Sequence, residues 1–103
     1  MSDVKEPKWT HAGGKLRELG AESLTDAELL SILIGTGTKG KTAEDIAKAI
    51  IDKFQGFKGM ANQSFDKFLK FKGIGEVKIT RIAAAFEISK RIVKKVLEGY
   101  EKS

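Results

Sequence analysis

Apolar residues recur along most of the chain at intervals of three and four positions, which is the period of an amphipathic helix. Two capping boxes mark helix starts, because Thr25 and Thr42 are each followed three positions later by an acidic residue, Glu28 and Asp45. The first helix is predicted to begin at residue 26 and to end at Gly35, where glycines make regular structure unfavourable. Further helices are predicted at residues 15–19, 42–56, 57–62, 64–72 and 76–98. No segment alternates with the period of two that a strand would show.

The longest predicted helix, residues 76–98, contains neither glycine nor proline. Its apolar stripe consists of Ile79, Ile82, Ala83, Phe86, Val93, Val96 and Leu97, and its basic flank consists of Lys78, Arg81, Lys90, Arg91, Lys94 and Lys95. The 103 residues suffice for one domain. The fold is therefore predicted to be all-α, a compact bundle of about five to six short helices. The domain should span residues 15–98, between a loosely ordered arm at 1–14 and a tail at 99–103.

Two segments of the chain, residues 25–54 and 64–92, share one plan. Each has a capped short helix, a Gly-x-Gly turn and a longer amphipathic helix. Such similarity indicates an internal duplication and a tandem arrangement of two helical hairpins. The first copy carries extra residues after its glycine pair, so its turn should be the degenerate one.

The turn of the first copy, residues 35–42, matches the phosphate-loop pattern G-x-x-x-x-G-K-S/T at each specified position. That loop works between a buried parallel strand and a helix, and its magnesium needs an aspartate elsewhere in the sheet. The residues before Gly35 favour a helix instead, so a nucleotide-hydrolysing cradle is the least favoured interpretation. Two others stay open: a connection that only caps the next helix, and an auxiliary DNA contact through Lys39 and Lys41.

The turn of the second copy follows the pattern h-x-x-h-x-G-h-G-x-x-K over residues 68–78, where h is apolar. Gly73 lets the chain leave a helix with positive φ, Ile74 inserts into the core, and Gly75 lets a phosphate approach the backbone closely. The next helix then offers free amides and its positive dipole end to an oxyanion, which is the plan of a helix-hairpin-helix motif. The predicted phosphate contacts are Lys72, Gly73, Ile74, Gly75, Val77 and Lys78, with Lys39, Lys41 and Arg81 as auxiliary DNA contacts. A tight hairpin that binds nothing is the structural alternative.

Charge is distributed unevenly along the chain. Residues 1–66 carry nine Lys or Arg against ten Asp or Glu, whereas residues 67–103 carry ten against four. This excess predicts a polyanionic partner for the C-terminal third, with a solvated lysine-rich face as the alternative. The absence of cysteine excludes disulfides and thiolate zinc sites, and the lack of a long apolar run favours a cytoplasmic location. The carboxylates are scattered, so we expect no catalytic residue, no metal ligand and no cofactor, and we expect the protein not to be an enzyme.

Three blocks in this order carry a family resemblance: residues 20–30, then 35–38, then 72–75. Together they resemble the N-terminal domain of RadC-like (UPF0758) proteins, over about residues 15–95. The resemblance implies a helix-hairpin-helix domain, similar to SAM-like and RuvA C-terminal bundles, with a function related to DNA repair. It also implies, as a partner in the full-length protein, a C-terminal domain similar to metal-dependent deubiquitinases of the JAB/MPN type. The zinc ligands of that domain include a His-x-His pair, and this chain has only His11, so its hydrolase activity is not expected here.

The leading hypothesis is therefore DNA binding without sequence preference, on duplex or branched DNA, through backbone phosphates. A second hypothesis is a protein-interaction module that regulates the missing catalytic domain, and its sign would be an exposed apolar patch on the 76–98 helix. Nucleotide hydrolysis is the third.

Overall fold

A computed structural model of the chain describes residues 12–71 and 74–102, with the side chains of 101 and 102 excepted. Its helices are α1 (Ala12–Leu19), α2 (Asp26–Ile34), α3 (Ala43–Phe54), α4 (Gly56–Ala61), α5 (Phe65–Leu69) and α6 (Glu76–Lys102), with a short 3-10 turn at Ala21–Ser23. Within the described ranges, extended pairing is confined to a single bridge between Thr38 and Lys41. The prediction of an all-α bundle is confirmed.

Polar side chains begin the short helices as the sequence predicts. The hydroxyl of Thr25 accepts from the Glu28 amide at 3.1 Å, and the Glu28 carboxylate accepts from the Thr25 amide at 2.9 Å. Thr42 and Asp45 form the same reciprocal box at the start of α3, with distances of 3.0 and 3.2 Å. Ser64 caps α5. Each box satisfies two amides that would otherwise lack an intrahelical partner.

Hydrogen bonds at the caps lower the pKa of two carboxylates. The backbone hydrogen bond from Thr25, followed by the hydrogen bond from Lys15, holds the pKa of Glu28 below its ordinary value. The backbone hydrogen bond from Thr42 likewise lowers the pKa of Asp45. Both shifts arise because these bonds are made to the ionised carboxylate.

The core forms where the α2–α3 hairpin packs against the start of α6. Its fully buried large side chains are Ile34, Ile50, Met60, Ile79 and Ile82. Aromatic rings complete it on the α5 side, where the ring centroids of Phe54 and Phe68 lie 5.1 Å apart. Residues of α2, α3, α5 and α6 therefore share a single core.

Only the first part of α6 belongs to this core. Ile79 and Ile82 are buried and Phe86 is half-buried, whereas the side chains from residue 87 to 97 are exposed. The predicted apolar stripe is thus divided, since Val93, Val96 and Leu97 face solvent. The 27 residues of α6 span about 40 Å, so the helix extends beyond the bundle.

The outer boundaries differ from the predicted ones. α1 begins at Ala12, so residues 12–14 of the predicted arm are helical, and an ion pair of 3.2 Å between Lys15 and Glu28 joins α1 to α2. α6 continues through Gly99 to residue 102, because one glycine lowers helix stability by about 1 kcal/mol without ending a long helix. Residues 1–11, which include His11, lie outside the described residues.

Candidate nucleic-acid interface

The predicted phosphate grip lies between α5 and α6, of which the structure describes the second half. Ile74 is half-buried and packs against the core, as the motif requires. Gly75 is exposed, and its carbonyl accepts the first hydrogen bond of α6, from the Ile79 amide at 3.1 Å. Lys72 and Gly73 lie outside the described residues, so the predicted positive φ at Gly73 stays a prediction.

The first turn of α6 is built differently from the capped helices. The amides of Glu76, Val77 and Lys78 precede the first intrahelical bond, so they belong to the orphan donors of a helix N-terminus. Thr25, Thr42 and Ser64 place a hydroxyl over the equivalent amides of their helices, but Gly75 has no side chain to do so. Val77 is 64% exposed, which leaves this end of the helix open to solvent. The arrangement can accept an oxyanion.

Gly75 itself has room for a side chain within the protein. A Cβ built on it would meet no atom of the described chain within 4 Å, and its φ is not in the left-handed region. Among the described residues, neither backbone strain nor packing therefore requires glycine here. A glycine at this position leaves the helix end open to the close approach of a ligand.

Lys78 joins the two hairpin turns. Its ammonium donates to the backbone carbonyl of Thr36 and, at 3.1 Å, to the hydroxyl of the same residue. Sequence reasoning missed this contact, because the two residues lie 42 positions apart and no local pattern reports such a pairing. The contact brings residues 35–42 to the N-terminal end of α6, so the two glycine-rich turns share one region of the surface.

The glycine-rich turn at residues 35–42 is closed by hydrogen bonds within its own backbone. The Thr38 amide donates to the Lys41 carbonyl and the Lys41 amide to the Thr38 carbonyl, both at 3.0 Å. A Cβ on Gly37 would overlap the Lys41 carbonyl, and Gly40 has φ near +85°, so these glycines serve the turn itself. α2, not a strand, precedes the turn, and Thr42 uses its hydroxyl to cap α3. These features argue against a triphosphate cradle, in which the amides would point to the ligand.

The remaining predicted contacts are basic and exposed. Lys39 and Lys41 flank the tip of the turn at residues 35–42. Arg81 follows Lys78 by one helical turn on α6. The Lys78 contact with Thr36 brings the turn that carries Lys39 and Lys41 to the helix that carries Arg81. Glu76 opposes them, since it puts one negative charge in the first turn of α6. The sum is a positive surface beside the open helix end.

Over residues 12–71 and 74–102, no three His, Cys, Asp or Glu side chains gather as a metal site would need. Within the same ranges, no helix combines the length and apolarity needed to cross a membrane.

Comparison with known proteins gives the family. Residues 13–80 match the family model described as UPF0758 N-terminal. The chain is 43% identical over 74 residues to a UPF0758 protein of Coprothermobacter proteolyticus, covering 72% of this chain and 32% of that protein. It is 40% identical over 91 residues to a UPF0758 protein of Alteromonas mediterranea, covering 88% of this chain and 40% of the relative. No solved structure matches. The chain thus spans well under half the length of these relatives. It belongs to the UPF0758 family, whose N-terminal region it matches.

Proposed function

We propose that the chain binds DNA, duplex or branched, by holding backbone phosphates at the N-terminal end of α6, in a role related to DNA repair. The open helix end behind Gly75 carries the proposal, because neither strain nor packing among the described residues requires a glycine there. A phosphate oxygen would accept from the Val77 and Lys78 amides, with the helix dipole behind them. Contacts of this kind fix position on DNA without reading its bases.

The cations around the helix end add the long-range attraction. Arg81, Lys39 and Lys41 are exposed, and each can neutralise a phosphate on either side of the one at the helix end. Lys78 holds the two turns together through Thr36 and still contributes its charge to the local potential. The proposed function is DNA binding alone, so we do not expect the protein to be an enzyme.

Fluorescence anisotropy with two unrelated duplexes of equal length tests the proposal. The expected result is equal affinity for both duplexes and a linear fall of log K with log salt. No binding at low salt would refute it, and a strong preference for one duplex would refute backbone recognition.

A glycine variant tests the site. Gly75→Ala should weaken binding about tenfold, and Gly75→Leu more, because the new side chain would stand between the phosphate and the amides. Gly99→Ala is the matched control, since its Cβ also meets no atom within 4 Å and it lies far along α6. Unchanged binding by Gly75→Leu would place the DNA site elsewhere.

A charge variant tests the surface. Arg81→Gln should lower the salt slope by about one, which is the signature of one lost phosphate contact. Lys53→Gln removes the same charge at the end of α3 that is remote from residues 35–42, so it should leave the slope unchanged. Equal effects of the two variants would indicate a diffuse charge effect and no defined contact surface.

A second function is favoured by the exposed apolar side chains in the C-terminal part of α6. We propose as the alternative that the chain is an interaction module for the remainder of the longer UPF0758 proteins. Titrating the chain with that remainder of a relative, expressed alone, tests it. Saturable binding that persists after nuclease treatment would support this function, and its absence would exclude it.

A further inference from the structure

An apolar face on the projecting part of α6 has no covering element among the described residues. We name it the α6 stripe, and its members are Val93, Val96 and Leu97, with Ile92 at its edge. Each of these residues is between 51% and 57% exposed. Val93, Val96 and Leu97 continue the face that buries Ile79 and Ile82 in the core, because the spacings of three and four persist through this part of the helix. The same helix face is thus buried inside the bundle and bare outside it.

The charged residues of this segment lie on the other side of the helix. They are Glu87, Lys90, Arg91, Lys94, Lys95 and Glu98. Four of them form two pairs along the helix, since Arg91 contacts Glu87 at 3.0 Å and Lys95 contacts Glu98 at 4.0 Å. A helix approaching the stripe would therefore meet few cations, even when that helix is equally basic.

An open apolar groove of about 590 Å³ adjoins the start of the stripe. α1, α2, α4 and α6 form it, and its walls include Leu29, Ile32, Leu33, Phe57, Ala85 and Ser89. Ile32 is 36% exposed although its neighbours in α2 are core residues. Stripe and groove together make one continuous apolar surface that runs from the bundle to the end of α6.

We infer that this surface binds a second copy of the chain, with the two α6 helices antiparallel. Ser89, Val93, Val96 and Tyr100 alternate in steps of four and three, which is the spacing of a two-helix seam. In antiparallel register Val93 of one copy lies opposite Val96 of the other. The same register sets Ser89 opposite Tyr100, so each copy directs the end of its α6 over the groove of the other.

The antiparallel arrangement follows from the bundle. A parallel pair would bring both bundles to the same end of the seam, where they compete for space beside the groove. The antiparallel pair separates them and also aligns the helix dipoles favourably. The four Lys and Arg side chains between residues 90 and 95 then point away from the seam in both copies.

The buried area suits a reversible dimer. Four residues that are about half exposed contribute roughly 100 Å² each, so the stripe supplies about 800 Å² over two copies, and the groove adds to it. This lies at the lower limit for specific interfaces, so we expect a dissociation constant of about 10–100 µM. The inference does not depend on DNA binding, because all its measurements are made without nucleic acid.

Sedimentation equilibrium of the whole chain between about 5 and 500 µM tests the dimer, in roughly 0.3 M salt to suppress charge repulsion. The mean mass should rise to twice the monomer value. Ile92→Gln with Val96→Gln should weaken association more than about tenfold, whereas Lys94→Gln with Lys95→Gln, on the charged face, should change it less than about twofold. A monomer throughout the range would overturn the inference and leave the stripe to another part of the longer relatives.

The register can be tested by disulfide trapping, because the native chain contains no cysteine. Mixing Ser89→Cys and Tyr100→Cys chains should give a mixed disulfide dimer under mild oxidation. Ser89→Cys alone should give little, since these positions are remote in an antiparallel pair. Efficient crosslinking of Ser89→Cys alone would overturn the antiparallel arrangement.

Discussion

Replacing Ile82 by alanine should remove a large part of the stability of this domain. The side chain is fully buried at the contact of α6 with the rest of the bundle, and the change deletes three carbons. At about 0.8 kcal/mol for each, the lost transfer free energy is about 2.4 kcal/mol, and the cavity left in a tight core raises the total to about 3–4 kcal/mol. For a domain of this size the total stability is about 5–15 kcal/mol, so the melting temperature should fall by more than about 12 °C.

Ile92→Ala provides a matched control on the same helix. That side chain is 57% exposed, and alanine favours helix over isoleucine, so we expect a change below about 0.5 kcal/mol. Urea denaturation followed by circular dichroism at about 2 µM protein, where the proposed dimer is dissociated, measures both variants. Equal costs for the two substitutions would refute the division of α6 into a core part and an exposed part.

Three further changes probe the backbone and the caps. Gly59→Ala should destabilise the fold by about 2 kcal/mol or more in urea melts, because a Cβ there would overlap the Phe54 carbonyl, and a cost below about 0.5 kcal/mol would contradict this packing. Gln55→Gly should stabilise by about 0.5–1 kcal/mol, since Gln55 has φ of 63° in the left-handed region, and a loss of stability would contradict that conformation. Because hydrogen bonds lower the pKa of Glu28 and Asp45 in the folded state, their contribution is complete above the unfolded values of 4.5 and 3.8 and is lost as the pH falls through the folded values. Melting temperatures measured from pH 7 to 2.5 should therefore drop less steeply for Glu28→Gln than for the native chain, and parallel curves would exclude this linkage.

Most of the fold could be predicted from local chemistry. Hydroxyl caps and glycine stops act over a few residues, so α2, α3 and α5 begin where Thr25, Thr42 and Ser64 indicate. The C-terminal end of α6 could not be predicted, because one glycine at position 99 lowers helix stability without ending a long helix. The division of α6 into a buried and an exposed part could not be predicted either, since periodicity indicates an apolar face but not what covers it.

The candidate site was predictable in part. The pattern around Gly75 located an open helix end, and Ile74 packs as expected. The contact between Lys78 and Thr36 depends on how two hairpins pack together, which no spacing within one hairpin encodes. The same packing explains why residues 35–42 satisfy a phosphate-loop pattern while their amides bond to one another.

The departure of α6 from the bundle after Phe86 places one helix under two kinds of natural selection. Substitutions up to that point are filtered by folding, since they alter a core shared with α2 and α5. Substitutions beyond it leave the core untouched and are filtered only by whatever the exposed half contacts. Among relatives of this chain, the two halves of one continuous helix should therefore diverge at different rates and with different chemical preferences.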